Sequence, residues 1–481
     1  MRIHLINPRN RVWSPNVWVP LGLLYVAAAL EQEGHYVEII DLNAERLKDI
    51  DIRRRVESAD VVGITGMVTE FAEVIRLVDM VKNANDSARV VVGGPLATTF
   101  HRELLEASKA DFVVVGEGER TAVNLISAIG QSGGFSDIKG IAYRNSDKII
   151  VAEAMEPISD LDDIPFPARH LINMDRLTQN HFRNFGLKIK GFGDIRSTNL
   201  VSSRGCPYSC TFCFKDMWGT KWRARSAKNI IEEMDLLYNE YGINGFVFND
   251  DTFVLDRRRV FELCSLIKGK GLDVIWYCNG RANLMQEDLL KAMYDAGCRG
   301  IAYGIESGNQ QILDSMKKSI TLDQVRDAVR WTKEAGIHVS GYFMIGMLDE
   351  TKETIRDTIA FAKELKLDFY GFSITTPLLG TELYNIAEER GLIQRENTLF
   401  KEWSFEVNTN LTRDCTDDDL VSFKNELFRE FHLKKFGRFY IVNPTLLRGM
   451  TKVLLSLRSK EEAAEVFRKI KGIIRSYWHK A

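Results

Sequence analysis

No apolar run in this chain reaches the length of about 18 residues that a bilayer-spanning helix needs. The amino-terminal MRIHLINPRN turns at Pro8 without the long apolar segment of a secretory signal. Membrane insertion and export are therefore not expected, and the cytoplasm is the expected compartment. An excess of one charge is also missing: 64 Lys and Arg stand against 66 Asp and Glu, for a net charge of −2. That balance argues against a general nucleic-acid binder, which carries a basic bias. Cysteine is sparse, and seven in 481 residues, an odd number without regular spacing, is the usage of a reducing compartment rather than of a disulfide framework. No second C-x2-4-C pair exists to complete a four-ligand zinc site. No strand-like run is followed by G-x-G-x-x-G, which disfavours an ordinary dinucleotide fold.

At 481 residues the chain is too long for one ordinary core, and about three structural units are expected. Its 45% hydrophobic and 27% charged residues are the proportions of a globular protein. Over residues 1–145, short β-rich runs (IHLIN, YVEIIDL, ADVVGIT, ARVVVGG, DFVVVGEGE) alternate with helix-length stretches such as EFAEVIRLVDMVKNA. This alternation implies βαβ units and an open parallel sheet, with ligands beyond the carboxyl ends of its strands. At those ends stand Thr65 and Gly66, then Gly93, Gly94 and Pro95, then Gly116, Glu117 and Gly118. Residues 146–195 read as a linker with a small strand pair, KGIAYRN with KIIVAE, before SDLDDIPFPARHLI, whose two prolines bias the residues before them away from helix. From 196 to 395 the βα alternation resumes in six runs, STNLVSSR to FYGFSITTP. Six repeats imply a second set of parallel strands, with chemistry expected at their carboxyl ends as in complete barrels. Residues 396–481 are expected to form a mostly helical cap and tail.

The most specific run is RGCPYSCTFC, in which Cys206, Cys210 and Cys213 form C-x3-C-x2-C with an aromatic, Phe212, directly before the last cysteine. Three thiolates this close hold three irons of a [4Fe-4S] cube and supply no fourth ligand, so one iron stays open to a small chelator. Structural zinc and three merely buried thiols are the rival readings. The other cysteines, Cys264, Cys278, Cys298 and Cys415, are scattered singly; free cysteine is usually a small buried hydrophobe, and none is assigned a role.

The C-x3-C-x-aromatic-C run resembles the hallmark of the radical S-adenosylmethionine (SAM) superfamily. The resemblance implies that SAM chelates the open iron and is cleaved to a 5'-deoxyadenosyl radical, that Phe212 lies beside the adenine, and that an external flavodoxin- or ferredoxin-like donor supplies the electron. Ahead of the cysteines, PLGLLYVAAALEQEGHYVEIIDL, VVVGGPLAT and VVVGEGE resemble, in that order, the cobalamin-binding domain fused in front of many such enzymes. This implies a Rossmann-like, flavodoxin-like α/β domain over 1–145 and a (β/α)6 radical SAM barrel over 196–395. The D-x-H-x-x-G string that gives cobalt a histidine in other cobalamin proteins is absent. The resemblance therefore implies cobalamin without a histidine on cobalt, its lower face lined by MVTEF, Met67 to Phe71 with Thr69 among them. A degenerate domain kept for packing or for substrate is the alternative.

Further candidates end the later barrel runs. Asp250 and Asp251 in NDDTF suit the SAM ammonium group, against a rival reading as caps of the helix that follows. Arg281 is a fixed charge suited to a carboxylate of SAM or substrate, against a plain exposed arginine. Glu306 and Ser307 in GIESG match a ribose-binding position. Gly346 is retained from the glycine motif that shapes the adenine site, but the usual G-L-P-G-E-T is here GMLDET. Pro377 and Gly380 in TPLLGTELY suit a tight turn near the cavity. From Lys434 to Ala481 twelve Lys or Arg face three acidic residues, and Val466, Phe467, Ile470, Ile473, Ile474, Tyr477 and Trp478 fall on one helical stripe. A helix packed against the barrel is the preferred reading of that stripe, and peripheral contact with an anionic membrane is the alternative.

Together the two resemblances imply C-methylation of an unactivated carbon in a small-molecule, lipid-like or peptide substrate. The deoxyadenosyl radical takes a hydrogen atom, cobalamin delivers the methyl group and a second SAM restores it. Two alternatives stand beside it: an oxidative cyclase or rearrangement enzyme without methyl transfer, and a non-enzymatic corrinoid sensor.

Overall fold

Strands β1 (Arg2–Asn7), β2 (Tyr36–Asp41), β3 (Val61–Thr65), β4 (Arg89–Gly93) and β5 (Phe112–Val114) are aliphatic runs with buried residues in succession, the form taken by parallel strands covered by helices on both faces. They pair in the order 2-1-3-4-5, all parallel, the flavodoxin-like order whose ligand crevice opens beyond the carboxyl ends of β1 and β3. The computed structural model describes residues 1–9, 18–45, 47–131, 133–146, 148–179, 181, 182, 187, 194–393 and 410–433. The WSFEVNT segment and the amphipathic stripe from Val466 to Trp478 lie outside them.

The expected strand pair forms as β6 (Ile141–Asn145) and β7 (Lys148–Val151), but it extends the first sheet antiparallel from β5 rather than standing apart as linker. The sheet thus runs to Val151, past the boundary expected at 145. The hairpin thereby pairs the edge that Phe112–Val114 would otherwise expose.

After the linker come β8 (Ser197–Leu200), a short antiparallel ribbon of β9 (Ser203–Arg204) and β10 (Arg223–Ala224), then β11 (Gly245–Phe248), β12 (Ile275–Gly280), β13 (Cys298–Glu306), β14 (His338–Ile345) and β15 (Phe369–Ile374). Six of these make a second, wholly parallel sheet in the order 15-14-13-12-11-8, the expected partial barrel. Its helices begin at defined caps: Ser226, Asp256, Thr321, Thr351 and Thr381 each accept a hydrogen bond from a backbone N–H in the first turn. One strand face packs on the helices, as Tyr303 does through its hydroxyl, 2.7 Å from Thr332. The other carries Val247, Ile275, Tyr277 and Ala302 in a cluster with Phe182 and Leu187 of the linker, so linker side chains fill that end of the barrel.

Residues Met1–Leu420 form one compact unit and the chain from Val421 a second. Within the first, the segment from Asn410 covers the turn after β14: Leu411 is buried with Met347 and Leu348, and the Arg413 N–H donates to Glu350 O at 2.9 Å. The helix Asp417–Leu427, which begins in the first unit, is followed by a π-helical turn at Phe428–Leu433. No helix among the described residues is long and apolar enough to cross a membrane.

Candidate active site

The cysteine run lies on the loop between β9 and β10, directly past β8 at the carboxyl end of the second sheet. Cys206, Cys210 and Cys213 are free thiols. The backbone pins the loop at both sides: Thr211 N–H donates to Met316 O at 3.0 Å, and Leu383 N–H donates to Thr211 O at 2.8 Å. Cys206 Sγ lies 3.7 Å from Thr252 Oγ1. Cys213 is reachable by solvent, yet its thiol is pushed up to about 11, chiefly by burial and then by Cys210. A ligating metal must displace that proton. No trio of His, Cys, Asp or Glu among the described residues is gathered as for a single metal ion. The three thiols fit a cubane better, because its cysteine ligands sit on different irons.

The other barrel candidates gather around this loop, in different capacities. Asp250 is fully buried and accepts from Ser202 N–H at 2.7 Å, Ser202 Oγ at 2.5 Å and Ser203 Oγ at 2.6 Å; its carboxylate anchors the strand that leads into the cysteines. Asp251 is exposed, and desolvation, then the charge of Asp250, raises its carboxyl above the usual range. It is the member of the pair that faces open space. The rival reading as helix caps does not hold, because Asp256 caps the following helix, accepting from Arg259 N–H at 3.1 Å.

Arg281 is buried, not exposed. Its guanidinium stacks 3.5 Å from the Tyr208 ring inside the cysteine run and donates to Lys318 O. Glu306, at the end of β13, has φ +68°, a left-handed conformation that costs a non-glycine residue strain, and its Oε1 accepts from Lys318 Nζ at 2.8 Å. Lys318 Nζ also lies 5.7 Å from the Phe212 ring. Ser307 is wholly buried with its Oγ 3.1 Å from Thr358 Oγ1, so it braces β13 against a helix rather than facing the cleft. Phe212 packs against the group containing Met347, Leu348 and Tyr384, which brings it to the turn after Gly346. Gly380 lies against Phe214 and Asp216, where a Cβ would come within 2.9 Å of each.

In the GMLDET turn, Asp349 stands where the family glycine would and takes its conformation, with φ +65°, and Arg390 holds its carboxylate at 3.0 Å. Glu350 is fully buried, accepts from Met347 N–H at 2.8 Å, and burial pushes its carboxyl up to about 7.

In the first sheet, Thr65, Gly66 and the turn at Gly93, Gly94 and Pro95 interlock. Gly94 has φ +86°, and a Cβ there would lie 2.6 Å from Thr65 Oγ1. Met67 is 54% exposed beyond β3, with Thr69 half-buried beside it. The loop is held by buried Glu70, which accepts from Met67 N–H at 2.8 Å and is pushed up to about 6 by burial. A Cβ at Gly116 would meet nothing within 4 Å, while one at Gly118 would lie 3.0 Å from Val26. Glu117 departs from expectation: it is buried and ion-paired with Arg223 at 2.7 Å and Arg204 at 3.3 Å, so it joins the two sheets instead of facing open space.

Lys318, Tyr208, Arg204 and Arg223 were not singled out from sequence. No pattern distinguishes them there; what marks Lys318, Arg204 and Arg223 is burial of a charge beside the cysteine run, and what marks Tyr208 is the Arg281 guanidinium stacked on its ring, which only the fold supplies.

Comparison with known proteins agrees with this geometry. A family model described as B12 binding domain matches residues 12–126, and one described as Radical SAM superfamily matches 200–362. An uncharacterized methyltransferase of Pyrococcus horikoshii is 34% identical over 95% of this chain and 94% of its own. Anaerobic magnesium-protoporphyrin IX monomethyl ester cyclase of Rubrivivax gelatinosus is 27% identical over 80% of this chain and 69% of its own. The solved radical SAM methyltransferase TsrM of Kitasatospora setae, with cobalamin and a [4Fe-4S] cluster bound, superposes with a TM-score of 0.68 at 21% identity over 82% of this chain and 76% of that one; at that identity the likeness speaks for the fold.

Proposed function

Because the chain belongs to the cobalamin-binding radical SAM enzymes, we propose that it methylates an unactivated carbon of a small-molecule substrate in the cytoplasm. Its cofactors are a [4Fe-4S] cluster, SAM and cobalamin. When bound, they supply a 5'-deoxyadenosyl radical and a transferable methyl group. The observation that carries the reading is that the cysteine loop meets the helix after β4, whose Thr98 in turn holds the turn after β5: Met217 Sδ of the loop lies 3.6 Å from Thr98 Oγ1, and Thr98 Oγ1 accepts from Gly116 N–H at 3.0 Å. A radical formed on one sheet and a methyl donor held on the other then share one cleft.

In this reading Cys206, Cys210 and Cys213 hold three irons, and Asp251 accepts from the SAM ammonium group. Lys318 and Glu306 form a buried pair at the rim: the cation suits the SAM carboxylate and the remaining carboxylate oxygen a ribose hydroxyl. Phe212 and the turn at Gly346 border the adenine. Thr65, Gly66, Met67, Thr69, Gly93, Gly94, Pro95, Gly116 and Gly118 would hold cobalamin, with exposed Met67 on the loop beyond β3 among them. An external flavodoxin- or ferredoxin-like protein supplies the electron.

The test is anaerobic reconstitution with SAM labelled in its methyl and adenosyl groups. Methyl transfer through a radical yields both 5'-deoxyadenosine and S-adenosylhomocysteine. Deoxyadenosine alone would favour the second reading, an oxidative cyclase without methyl transfer, which the likeness to the protoporphyrin ester cyclase supports.

A further inference from the structure

Glu117 and Glu119 sit where the first sheet is expected to meet its ligand, yet both carboxylates are engaged elsewhere. Arg223 grips Glu117 with two parallel hydrogen bonds, Nη2 to Oε1 at 2.7 Å and Nη1 to Oε2 at 3.0 Å. Arg204 reaches Glu117 Oε1 at 3.3 Å and Glu119 Oε1 at 2.5 Å. Every one of these side chains is less than a tenth exposed, and buried ions are tolerated only when paired in good geometry. Guanidinium forks fix direction as well as distance.

The two arginines face each other across the β9–β10 ribbon, the neck of the cysteine loop. Arg204 stands two residues before Cys206. Gly205, between them, has φ +82° and passes so close to the returning strand that a Cβ would lie 2.5 Å from Lys221 O. The loop therefore has one rigid neck, and one turn of the other sheet grips it.

We propose that Glu117 and Glu119 are positioning residues. Through Arg204 and Arg223 they hold the cysteine loop at one height over the carboxyl edge of the first sheet, and so set the separation between cluster and cobalamin. The proposal rests on the cofactor reading above. A contact that merely glued the two sheets together would need no arginine on each strand of the neck, one forked onto Glu117 and the other bridging Glu117 and Glu119.

The test uses the full chain, anaerobically loaded with iron, sulfide and cob(II)alamin and reduced, with pulsed dipolar EPR reading the distance between the two paramagnets. The wild type is expected to show one narrow distance distribution. The Glu117→Gln/Glu119→Gln variant is expected to retain its iron and cobalamin but to give a distribution roughly doubled in width, since neutral amides leave the buried guanidinium groups unpaired. Arg204→Lys keeps the charge without the fork and is expected to broaden the distribution as well; it carries the test if the double variant does not fold. Loaded variants with wild-type width overturn the clamp alone. A wild-type chain that loads neither cofactor overturns the cofactor reading, and the clamp with it.

Discussion

Replacing Asp250 with Ala strands two serine hydroxyls and a backbone N–H, its hydrogen-bond donors, in a fully buried site, together with Arg259 at 3.9 Å. The loss is expected to cost about 3 to 5 kcal/mol, as for other broken buried charge networks. Asp251→Ala is expected to change stability by no more than about 0.5 kcal/mol, yet to weaken SAM binding roughly tenfold or more, the worth of one charge-assisted hydrogen bond. Urea unfolding and SAM titration of the two variants check this, and equal effects in both assays would contradict it. The adjacent carboxylates were legible in NDDTF, but not which faces the cleft, because that depends on where Ser202 and Ser203 return across the sheet. Spacing made the three cysteines legible, since a C-x3-C-x2-C loop is local. Lys318 sits in an unremarkable KKS string and gains meaning only through its 2.8 Å contact with Glu306.

Among the elements, the turn after β14 shows how a departure from a family pattern is accommodated. Asp349 adopts the left-handed backbone that a glycine takes at no steric cost, and the remaining work of the turn falls to Glu350. Its folded pKa of about 7 lies above the 4.5 of a free glutamate. Both states are protonated below pH 4.5; between 4.5 and 7 the unfolded chain ionises first, so this group's contribution to stability is lost as pH rises. The wild type is expected to lose about 3 kcal/mol relative to Glu350→Gln across that window, because the amide oxygen still accepts from Met347 N–H but cannot ionise. A flat difference between the two urea-unfolding profiles would contradict it. Strands were legible as aliphatic runs bounded by Gly, Pro or Asp. The attachment of β6 and β7 to the first sheet was not, since a hairpin's own sequence does not say which edge it will cover. Nor was the task of Glu117, because a glycine-ended strand looks the same whether the next carboxylate meets a ligand or another domain's arginine.

Across the whole molecule, two sheets with parallel cores meet near the carboxyl ends of their strands, and among the described residues the arginines of the cysteine-loop neck are already paired with carboxylates of the first sheet. Arg204 and Arg223 link the cysteine loop to the first sheet, while Arg169 of the linker and Arg225 share buried Glu233 at 2.8 and 2.5 Å. The alternation of strands and helices made both sheets legible, because parallel strands need helical crossovers and buried faces. Their docking was not legible, because it rests on pairs more than 80 residues apart, such as Arg204 with Glu119. Everything functional in this architecture depends on a cluster with one iron left open by a three-cysteine loop. The most direct measurement is the EPR spectrum of the anaerobically reconstituted, reduced protein before and after SAM is added. The account expects a [4Fe-4S] signal of spin one-half that shifts on SAM binding and is absent from a variant with Cys206, Cys210 and Cys213 all changed to Ala. A wild-type signal indifferent to SAM, or no cluster signal at all, would contradict it.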